Sequence, residues 1–583
     1  MFTQMKLKML VLCSVAFGLT FLPAAYAATR YVVAPGTPGA NPESPYDSWE
    51  TAATNIQLAV DAAISGDTIL VSNGTYKATG AGANFWGVTT MVYIAKHVIL
   101  RSVNGPAVTI LDGGYPDITN RPVALNSTGA VFSGFTVVNG RAGCGGGILI
   151  GDYGGMVSNC VVFNNASVNN QHFGSYNNGG GGMFSYTTSG YTGYFYNCSI
   201  YNNTSISNVG GGGYVRGSGV ARDCEFYSNT CIYISSYGGG GCYMSGDIKA
   251  SQCVFSNNAT DGYGGGVYLD QGATVLDDCL IVNNSCTNSG SGLYAYYGGA
   301  GAIIKNCVIS DNAANSSGGG CFLRSSVTYC KIVNCTISSN HAVGAGGGLD
   351  IRSGNVVLTD CLVVTNSTAS SGGGIYYYTS AGANVAEIMN CTIRDNASDN
   401  KVGGAGAYLQ GPCRMVGCLV VSNAVTSTSI NSVGAGIKIG SDSVVCENNT
   451  VVGNKTTTGS GGGIYMESNG VVRSTIIYGN TSKAGANQDW GPIGTGTFYN
   501  CCTADVTGMN GSGNIAADPK FADAANGNYR LTAASPCANA GLNQDWMAAA
   551  VDLDGRPRLD RFTRRVDIGC YEHHFRGAMF LVK

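Results

Sequence analysis

Charge is scarce in this 583-residue sequence: Asp, Glu, Lys and Arg make up 11% of it, and the formal net charge is -3. Proteins that bind nucleic acid carry clustered Lys and Arg, so the composition gives no electrostatic case for a nucleic-acid partner. Apolar residues at helical spacing are scarce as well. With 88 Gly and 9% aromatic residues, the composition is typical of a long all-β solenoid, not of a helical enzyme or a disordered tail.

Long apolar runs are confined to the N-terminus. Basic residues precede the apolar run Met9–Leu22, and an Ala-Tyr-Ala cleavage site ends at Ala27. This arrangement is typical of a secretory signal peptide, so we expect residues 1–27 to be removed on export. No later stretch reaches the roughly 18 apolar residues that a membrane span needs, which predicts no transmembrane span in the mature chain.

One short pattern recurs through most of the sequence: Cys, any residue, an apolar residue, two more residues, then Asn. Successive Cys residues of the pattern lie 38, 26, 29, 26, 28, 28, 26, 30 and 27 residues apart. They are Cys160, Cys198, Cys224, Cys253, Cys279, Cys307, Cys335, Cys361, Cys391 and Cys418. Two further copies carry Asn449 and Thr475 instead, and the closing Asn appears twelve times, from Asn165 to Asn480. Such a repeat predicts stacked units that share a core.

The repeat unit is predicted to be one coil of a parallel β-helix. Its apolar runs are short, β-branched or aromatic, and they alternate with period two between Gly and Asn, which indicates strands. On this interpretation the Cys and the apolar residue two places on, such as Ile309, point inward. The Asn closes the strand at a bend, tolerates left-handed backbone, and stacks in an amide ladder. The Gly triplets, such as Gly346–Gly348, permit a sharp repeated corner.

A short amphipathic helix is predicted before the first coil, where it would cap exposed sheet edges. Its apolar face includes Ile56 and Ile64, and it stops at Gly66. This region resembles the N-terminal part of right-handed, pectate-lyase-like β-helices. The matching residues are Ile56, Gln57, Ala59, Val60, Ala63, Gly66, Asp67, Thr68, Asn73, Gly74, Thr75 and Tyr76. The resemblance implies an all-β fold, a right-handed parallel β-helix (solenoid) with a short N-terminal capping helix.

Two further resemblances point to bacterial surface proteins. The Gly-Gly-Gly-Ile375 corner, together with Phe226 and Asn229, resembles the repeats of polymorphic outer-membrane proteins, although too little chain follows residue 480 for the barrel of those autotransporters. Residues 518–572 resemble the choice-of-anchor Q domain. The residues that carry this match are Asp518, Pro519, Phe521, Gly527, Asn528, Tyr529, Arg530, Leu531, Ser535, Pro536, Ala540, Gly541, Asp552, Leu553, Asp554, Gly555, Arg556, Pro557, Asp567, Ile568, Gly569, Tyr571 and Glu572. Cys537 and Cys570 replace residues that are usually small in that family, which predicts a disulfide between them.

The expected division of the chain follows from these features. We expect a signal peptide at 1–27, the cap and first irregular coils at 28–144, regular repeats at 145–480, terminal coils or a linker at 481–517, and the choice-of-anchor Q-like module at 518–572. The ten Cys of the repeat are expected to be mostly free, buried thiols, although Cα atoms about 4.8 Å apart in neighbouring coils would also permit bridges. There is no CxxC pair and no clear Ca²⁺ motif, so we expect no cofactor and no metal, with Ca²⁺ left open.

One face of the coils carries a predicted aromatic stripe. The second residue after each Gly corner is expected to point outward; these residues are Phe184, Val215, Tyr243, Tyr268, Tyr294, Phe322, Asp350, Tyr376, Tyr408, Lys438 and Tyr465. The fourth is expected to do the same; these are Tyr186, Gly217, Ser245, Asp270, Tyr296, Arg324, Arg352, Tyr378, Gln410, Gly440 and Glu467. Stacked rings can simply stabilise a sheet, by about 0.2–1 kcal/mol per cross-strand pair, or they can bind an extended glycan. The predicted ligand residues are Tyr268, Asp270, Tyr294, Tyr296, Phe322, Tyr376 and Tyr408.

A sharper cluster lies in three successive coils of that stripe. Its members are Arg324, Asp350, Arg352, Tyr376 and Tyr378, with His341 in the loop that precedes Asp350. An exposed Arg beside Asp can be a surface ion pair that contributes little. Alternatively, the resemblance implies that an Arg neutralises a uronate carboxylate while a Tyr or His takes a proton from C5, the β-elimination used by polysaccharide lyases of this fold. The lyase Arg-x-Pro-x-x-Arg segment is absent from this sequence. The complete series of β-helix hydrolases, which combines Asn-Thr-Asp, Asp-Asp and Gly-His-Gly segments, is absent as well.

The sequence therefore predicts an exported bacterial rod, secreted or on the outer cell surface, that binds a polysaccharide or another surface component without catalysis. It is expected to be a monomer. The alternative function is a polysaccharide lyase or glycoside hydrolase that acts on an acidic polysaccharide. A third interpretation is a structural spacer, since the fold does not decide among these roles.

Overall fold

A computed structural model describes most of the chain. The described residues are 27–168, 179–232, 237–296, 301–324, 329–352, 355–379, 385–400, 402–428, 433–483, 485–486, 488–491 and 496–573. The predicted signal peptide lies outside the described residues, apart from Ala27.

Each regular coil contributes four short strands. In the coil that begins at the corner Gly318–Gly320, these are Cys321–Leu323, Cys330–Val333, Thr336–Ser338 and His341–Ala342. Each strand pairs in parallel with the same strand of the next coil. First and second strands form sheet A, third strands form sheet B, and fourth strands form sheet C. The predicted all-β, right-handed parallel β-solenoid is confirmed.

The strand bounds follow this order along the chain. First strands are Val88–Ile94, Arg121–Leu125, Ile148–Ile150, Met183–Tyr186, Gly213–Arg222, Cys242–Ser251, Val267–Leu269, Leu293–Ala295, Cys321–Leu323, Leu349–Ile351, Ile375–Tyr378, Ala407–Gln410, Ile437–Ile439, Ile464–Met466 and Trp490–Gly491. Gly213–Arg222 and Cys242–Ser251 run on without a break as second strands. The other second strands are Thr29–Val32, Thr68–Val71, Ile99–Ser102, Val131–Ser133, Gly155–Ser158, Gly193–Tyr196, Val275–Asp277, Ala302–Lys305, Cys330–Val333, Val356–Thr359, Ala386–Met389, Cys413–Val416, Val444–Glu447, Val471–Arg473, Thr497–Tyr499 and Gly511–Ser512.

Sheets B and C are built from shorter strands. Third strands are Gly74–Lys77, Thr109–Asp112, Thr136–Val138, Val161–Phe163, Ser199–Tyr201, Glu225–Tyr227, Val254–Ser256, Leu280–Val282, Val308–Ser310, Thr336–Ser338, Leu362–Val364, Thr392–Arg394, Leu419–Val421, Thr450–Val452, Ile476–Tyr478, Cys502–Thr503 and Ile515–Ala516. Fourth strands are Arg141–Ala142, Ala166–Val168, Thr204–Ile206, Thr230–Ile232, Ala259–Thr260, Ser285–Cys286, Ala313–Ala314, His341–Ala342, Ser367–Thr368, Ala397–Ser398, Ala424–Val425, Lys455–Thr456 and Thr481–Ser482. Gly485–Ala486 turns back and pairs antiparallel with Thr481–Ser482. Outside the coils are the hairpin strand Ala83–Phe85, the antiparallel pair Phe521–Asp523 and Asn528–Leu531, and the 3-10 helices Ala524–Asn526 and Asp545–Ala548.

The predicted capping helix is present as Ile56–Ala62. Asn55 caps its start, because the side-chain oxygen accepts a hydrogen bond from the Gln57 amide at 2.8 Å. The Lys96 ammonium lies at its other end and donates to backbone carbonyls, including that of Ala63 at 2.8 Å. The helix is shorter than predicted: Ile64 lies beyond it and is 42% exposed. No helix among the described residues has the length and apolar character to span a bilayer.

Left-handed residues bound the third strand of the regular coils. In one coil they are Asn334 and Ser339, with φ of 50° and 54°. The prediction that the repeated Asn itself takes up this conformation is wrong by one position, since the ladder residue is Asn340, the next along. The Gly corner is required sterically: a Cβ on Gly319 would lie 2.4 Å from the backbone oxygen of His341.

The predicted amide ladder is confirmed. Asn312 donates through its backbone N and through Nδ2 to Oδ1 of Asn340, at 3.0 and 2.9 Å. The same pair of bonds repeats in every coil from Asn165 to Asn480. The ladder ends on Asp489, a buried carboxylate that accepts both bonds from Asn480. Sequence analysis did not identify Asp489.

The described cysteines are buried free thiols, and the column of ten lines the inner core. Cys537 packs in a hydrophobic cluster with Cys502, whereas Cys570 packs in a different cluster with Leu419 and Val421. The two thiols thus lie in separate clusters, and the structure does not show the predicted Cys537–Cys570 disulfide.

The C-terminal segment, residues 519–573, packs on the outer face of sheet B. There it covers apolar side chains of the last coils, such as Leu419 and Ile476. Within the segment, Arg558 is fully buried and pairs with Glu572 at 3.2 Å. The segment thus shares two hydrophobic clusters with the solenoid, which ties its stability to that of the coils.

Candidate functional site

The outer face of the first strands carries two parallel columns of side chains. Cys321 and Leu323 point into the inner core, so Phe322 and Arg324 point away from it. We call the first column the aromatic column; its members are Phe184, Tyr214, Tyr243, Tyr268, Tyr294, Phe322, Asp350, Tyr376, Tyr408, Lys438 and Tyr465. We call the second the polar column; its members are Tyr186, Arg216, Ser245, Asp270, Tyr296, Arg324, Arg352, Tyr378, Gln410, Gly440 and Glu467.

One coil was misplaced by a single residue in the sequence prediction. Val215 and Gly217 were expected in the two columns, but Val215 points into the inner core. The reason is a fourth glycine, Gly213, which occupies the inward position opposite Cys242. Tyr214 therefore joins the aromatic column, and Arg216 joins the polar column.

Much of the aromatic column is buried beneath other rings. Tyr268 and Tyr294 point outward from the coils, as predicted, but each is only 1% exposed because other rings cover it. Tyr263 covers Tyr294 with ring centroids 4.5 Å apart, and Tyr237 lies 6.2 Å from Tyr268. Together with Tyr296 and other rings, they form a second hydrophobic cluster outside the main core. At these two positions the stacking supports the stabilising interpretation, since neither ring presents a face to a ligand.

Asp270 lies beside this cluster in a hydrogen-bonded group. Its carboxylate accepts a hydrogen bond from Ser245 Oγ at 3.2 Å and another from the Tyr243 hydroxyl. Burial raises the pKa of Asp270, against the lowering effect of these bonds and of Arg216. Asp270 and Arg324 are not paired in the structure, which agrees with their separation by one intervening coil.

In the coils that follow Asp270, several side chains of the outer face remain half-buried or exposed. We call five of them the Arg patch: Tyr296, Arg324, Arg352, Tyr376 and Tyr378. The guanidinium carbon of Arg324 lies 4.5 Å from the Tyr296 ring centroid, and that of Arg352 lies 4.8 and 5.5 Å from the rings of Tyr376 and Tyr378. Tyr378 is 37% exposed, and the other four are half-buried. Each guanidinium is thus stacked on an aromatic ring at the surface.

The carboxylate of Asp350 holds Arg352 in place. Both oxygens accept from the guanidinium, at 2.5 Å to Nε and 2.9 Å to Nη2. Asp350 is fully buried, and burial raises its pKa to about 6, against the lowering effect of Arg352. The fork-to-fork geometry fixes the direction of Arg352, and Asp350 itself has no surface through which it could touch a ligand.

Arg324 differs from Arg352 in its partners. The Arg324 amide donates to the Ala295 carbonyl of the previous coil, and the Arg352 amide donates to the Leu323 carbonyl in the coil of Arg324. The two arginines therefore occupy neighbouring coils, about 4.8 Å apart. Arg324 bonds to the Tyr294 hydroxyl and stacks on Tyr296, but no carboxylate pairs with it among the described residues. The Arg patch with Asp350 therefore carries one uncompensated positive charge.

Three other predicted site residues lie outside the Arg patch. His341 is exposed on sheet C, where its Nδ1 lies 3.0 Å from Ser367 Oγ, so the structure does not bring it to the Asp350 coil's outer face. Phe322 is half-buried and stacks on the Tyr294 ring at 5.3 Å. Tyr408 is 6% exposed and donates from its hydroxyl to Glu467 at 3.3 Å.

Lys438 completes the far end of the face and is largely neutralised. Its ammonium lies 3.0 Å from Glu467 and 4.6 Å from the Tyr408 ring centroid. The charges of Asp270 and of Lys438, on either side of the Arg patch, are thus held in internal contacts. The Arg patch between them retains its cation.

Tyr376 and Asp350 are acid–base groups at the Arg patch whose pKa values are raised by burial. A general base needs a pKa near the working pH, and burial raises the pKa of Tyr376, against the lowering effect of Arg352. Asp350 is bound on both oxygens by Arg352. In the part of the chain that the structure describes, no group of three His, Cys, Asp or Glu side chains could hold a metal ion.

The buried pair predicts a pH dependence of stability. The folded protein holds the Asp350 proton at a pKa of about 6, whereas an unfolded Asp has a pKa of about 3.9. The stability that this proton contributes is fully present below about pH 4 and is lost as the pH rises through about 6. We expect Asp350→Asn to remove this loss, which is on the order of 2–3 kcal/mol between about pH 4 and pH 7.

Urea unfolding at both pH values checks this expectation. Asp395→Asn is the matched control, because Asp395 pairs with Arg394 at the surface and is 39% exposed. That variant should keep the wild-type pH dependence. An identical pH dependence in Asp350→Asn and the wild type would contradict the assignment.

Comparisons with known proteins concern the fold. No curated protein matches the chain. A crystal structure of pectate lyase Pel9A aligns with a TM-score of 0.28 and 11% identity, over 95% of this chain and 98% of that one. The Azotobacter vinelandii mannuronan C-5 epimerase AlgE6 A-module aligns with a TM-score of 0.28 and 12% identity, over 80% and 94%. A rhamnogalacturonan lyase aligns with a TM-score of 0.16 and 10% identity, over 85% of this chain and 91% of that one. Residues 241–420, which include the Arg patch, match the family model described as a right handed beta helix region.

Proposed function

We propose that this chain is an exported, non-catalytic rod of a bacterial surface that binds an acidic glycan along the outer face of sheet A. The Arg patch is the binding site. Its cation neutralises a uronate or sulfate group of the glycan, and its exposed rings pack against the sugar. The chain acts as a monomer, either secreted or at the outer cell surface, as the signal peptide and the choice-of-anchor Q resemblance suggest.

The observation that carries the proposal is the uncompensated charge of Arg324. A surface arginine without a carboxylate partner, aligned beside a second arginine that Asp350 holds in place, is suited to a forked bond with an anion. Stacking on Tyr296 restricts its motion before any ligand binds, which reduces the entropy lost on binding. Tyr376 and Tyr378 supply ring surface next to the charge.

Binding to polyuronates tests the proposal. The full chain should retain polygalacturonate or alginate in affinity electrophoresis, and a neutral glucan should pass without retention. Retention should weaken as salt rises from about 0.1 to about 1 M, because the screening length falls from about 10 to about 3 Å. Arg324→Ala should weaken binding by about tenfold, which corresponds to one charge-assisted hydrogen bond.

Two variants sharpen the test. Arg324→Lys keeps the charge but loses the planar fork, so it should bind with intermediate strength. Arg394→Ala is the matched control: Arg394 is an exposed arginine on sheet B, paired with Asp395, and its loss should not change binding. Equal binding by the Arg324→Ala and Arg394→Ala variants would overturn the Arg patch as the site.

The same mixtures separate binding from catalysis. Retention without new ends in the polysaccharide supports the non-catalytic rod. Release of unsaturated, ultraviolet-absorbing fragments would identify a lyase, and release of saturated reducing ends a hydrolase. If the mixtures show no retention and no fragments, the structural spacer is the remaining interpretation.

A further inference from the structure

We propose that Cys502 and Cys537 form a disulfide bond when the chain folds under oxidising conditions, and that this bond fixes the C-terminal segment to the last coils. The inference goes beyond the proposed glycan binding and does not depend on it. It assigns a cross-link to a pair of thiols that sequence analysis did not connect.

The two thiols share one buried cluster. Cys502 begins the third strand Cys502–Thr503 and points out of the solenoid, while Cys537 comes from the C-terminal segment. Both are 0% exposed, and both pack with Leu531 and Ile568. A hydrogen bond between the Cys502 and Cys537 thiols makes the largest contribution to the raised pKa of Cys537, and burial raises it further. The sulfurs are thus direct neighbours across the boundary between coil and segment.

Hydrogen bonds on both sides fix this juxtaposition. The Cys502 thiol donates to the Ala517 carbonyl at 3.3 Å, where the chain leaves the last coil. Ser535 Oγ donates to the Pro519 carbonyl at 2.6 Å and accepts from the Cys537 amide at 3.1 Å. The chain therefore returns to its own exit point and places Cys537 beside Cys502.

The neighbouring cysteines are held elsewhere. Cys501 points the opposite way, into the inner core, and its thiol donates to the Val472 carbonyl. Cys570 lies in the cluster around Leu419. Cys537 consequently has a single thiol neighbour outside the coil core among the described residues.

A small disulfide such as oxidised glutathione supplies the oxidant. One protein thiolate attacks it and releases one reduced glutathione; the second protein thiolate then attacks the mixed disulfide and releases another. Two protein thiols lose two protons and two electrons, and one glutathione disulfide becomes two thiols. Because the raised pKa of Cys537 suppresses the thiolate in the folded protein, the bond should form during folding, when an exposed thiol has a pKa of about 8.5.

Peptide mapping tests the bond directly. The full chain is refolded with reduced and oxidised glutathione, quenched in acid, alkylated and digested with trypsin. Cys502 then lies in peptide 484–520 together with Cys501, Cys537 lies alone in 531–558, and Cys570 lies alone in 566–576. The expected product is a disulfide between 484–520 and 531–558, absent after reduction.

Variants of the two adjacent cysteines, Cys501 and Cys502, show which of them forms the bond with Cys537. Cys501→Ser should keep the linked peptide, and Cys502→Ser should abolish it. Recovery of 531–558 only in alkylated form from the oxidised wild type, or linked to 566–576, would overturn the proposal. Reduced, already folded chain that is quenched, alkylated and digested in the same way controls for bonds formed during work-up, and it should give no linked peptide.

Discussion

Replacement of Asn340 by alanine is expected to lower the free energy of unfolding by about 3 kcal/mol or more. Asn340 Oδ1 accepts from both the backbone N and the Nδ2 of Asn312, and its own Nδ2 donates to Ile309 and to Asn366. Alanine leaves two donors of Asn312 without partners in the fully buried interior, at about 1–3 kcal/mol each. Urea unfolding followed by far-ultraviolet circular dichroism measures the change.

The matched control is a nearby asparagine outside the ladder. Asn315 is exposed, and its replacement by alanine should change stability by less than about 0.5 kcal/mol. The two variants remove the same chemical group from coils that stack on each other. Similar small losses in both would contradict a stabilising role for the ladder.

Replacement of Gly347 by alanine should be at least as damaging, for a steric reason. Its Cβ would lie 2.4 Å from the carbonyl oxygen of Ser367, at the end of the same coil, and 2.5 Å from that of Gly373, in the corner of the next coil. The Gly347 amide donates to Gly372 at 3.1 Å, so the coils cannot separate without loss of ladder hydrogen bonds. We expect a loss of about 3 kcal/mol or more, or failure to fold, measured by the same unfolding curves and by the yield of monomer.

Gly479→Asn provides the contrast. Gly479 has φ of 67° and no atom within 4 Å of its Cβ position, and other coils carry Asn202 or Asn257 at the equivalent place with φ of 51° and 54°. Asparagine tolerates this left-handed conformation, so stability should change by less than about 0.5 kcal/mol. Equal loss in both variants would show that the corner does not depend on close backbone contact.

The fold was predictable because the repeat fixes it locally. Alternation around Cys307 and Ile309 determines which side chains face the core, and the recurring Asn determines the register of one coil on the next. The capping helix was predictable because its apolar residues recur at helical spacing, which is again a local pattern. In the coil where a fourth glycine, Gly213, follows the corner, the inward and outward positions were predicted one residue too late.

The candidate site was predictable only in part. The pairing of Asp350 with Arg352 follows from their spacing on one strand, and the structure confirms the ion pair. The burial of Tyr268 and Tyr294 could not be predicted, because the covering rings, Tyr237 and Tyr263, come from corner segments of irregular length. A spacing pattern gives the direction of a side chain, but not what another segment places over it.

The ends of the solenoid were the least predictable part. Asp489 terminates the amide ladder from a segment without the repeat, so no periodic signal marks it. Cys537 meets Cys502 because residues 519–573 fold back on sheet B, a contact between segments that the sequence resemblance did not include. Such contacts depend on tertiary packing and not on local sequence pattern.

Hydrogen–deuterium exchange with and without polygalacturonate is the most direct test of where the chain binds. We predict protection in peptides that contain the first strands Leu293–Ala295, Cys321–Leu323, Leu349–Ile351 and Ile375–Tyr378, with no change in the third strands of sheet B. In the Arg324→Ala variant the same protection should require about tenfold more polygalacturonate. Protection confined to sheet B or to residues 519–573, or none at a saturating concentration, would contradict a glycan site on the Arg patch.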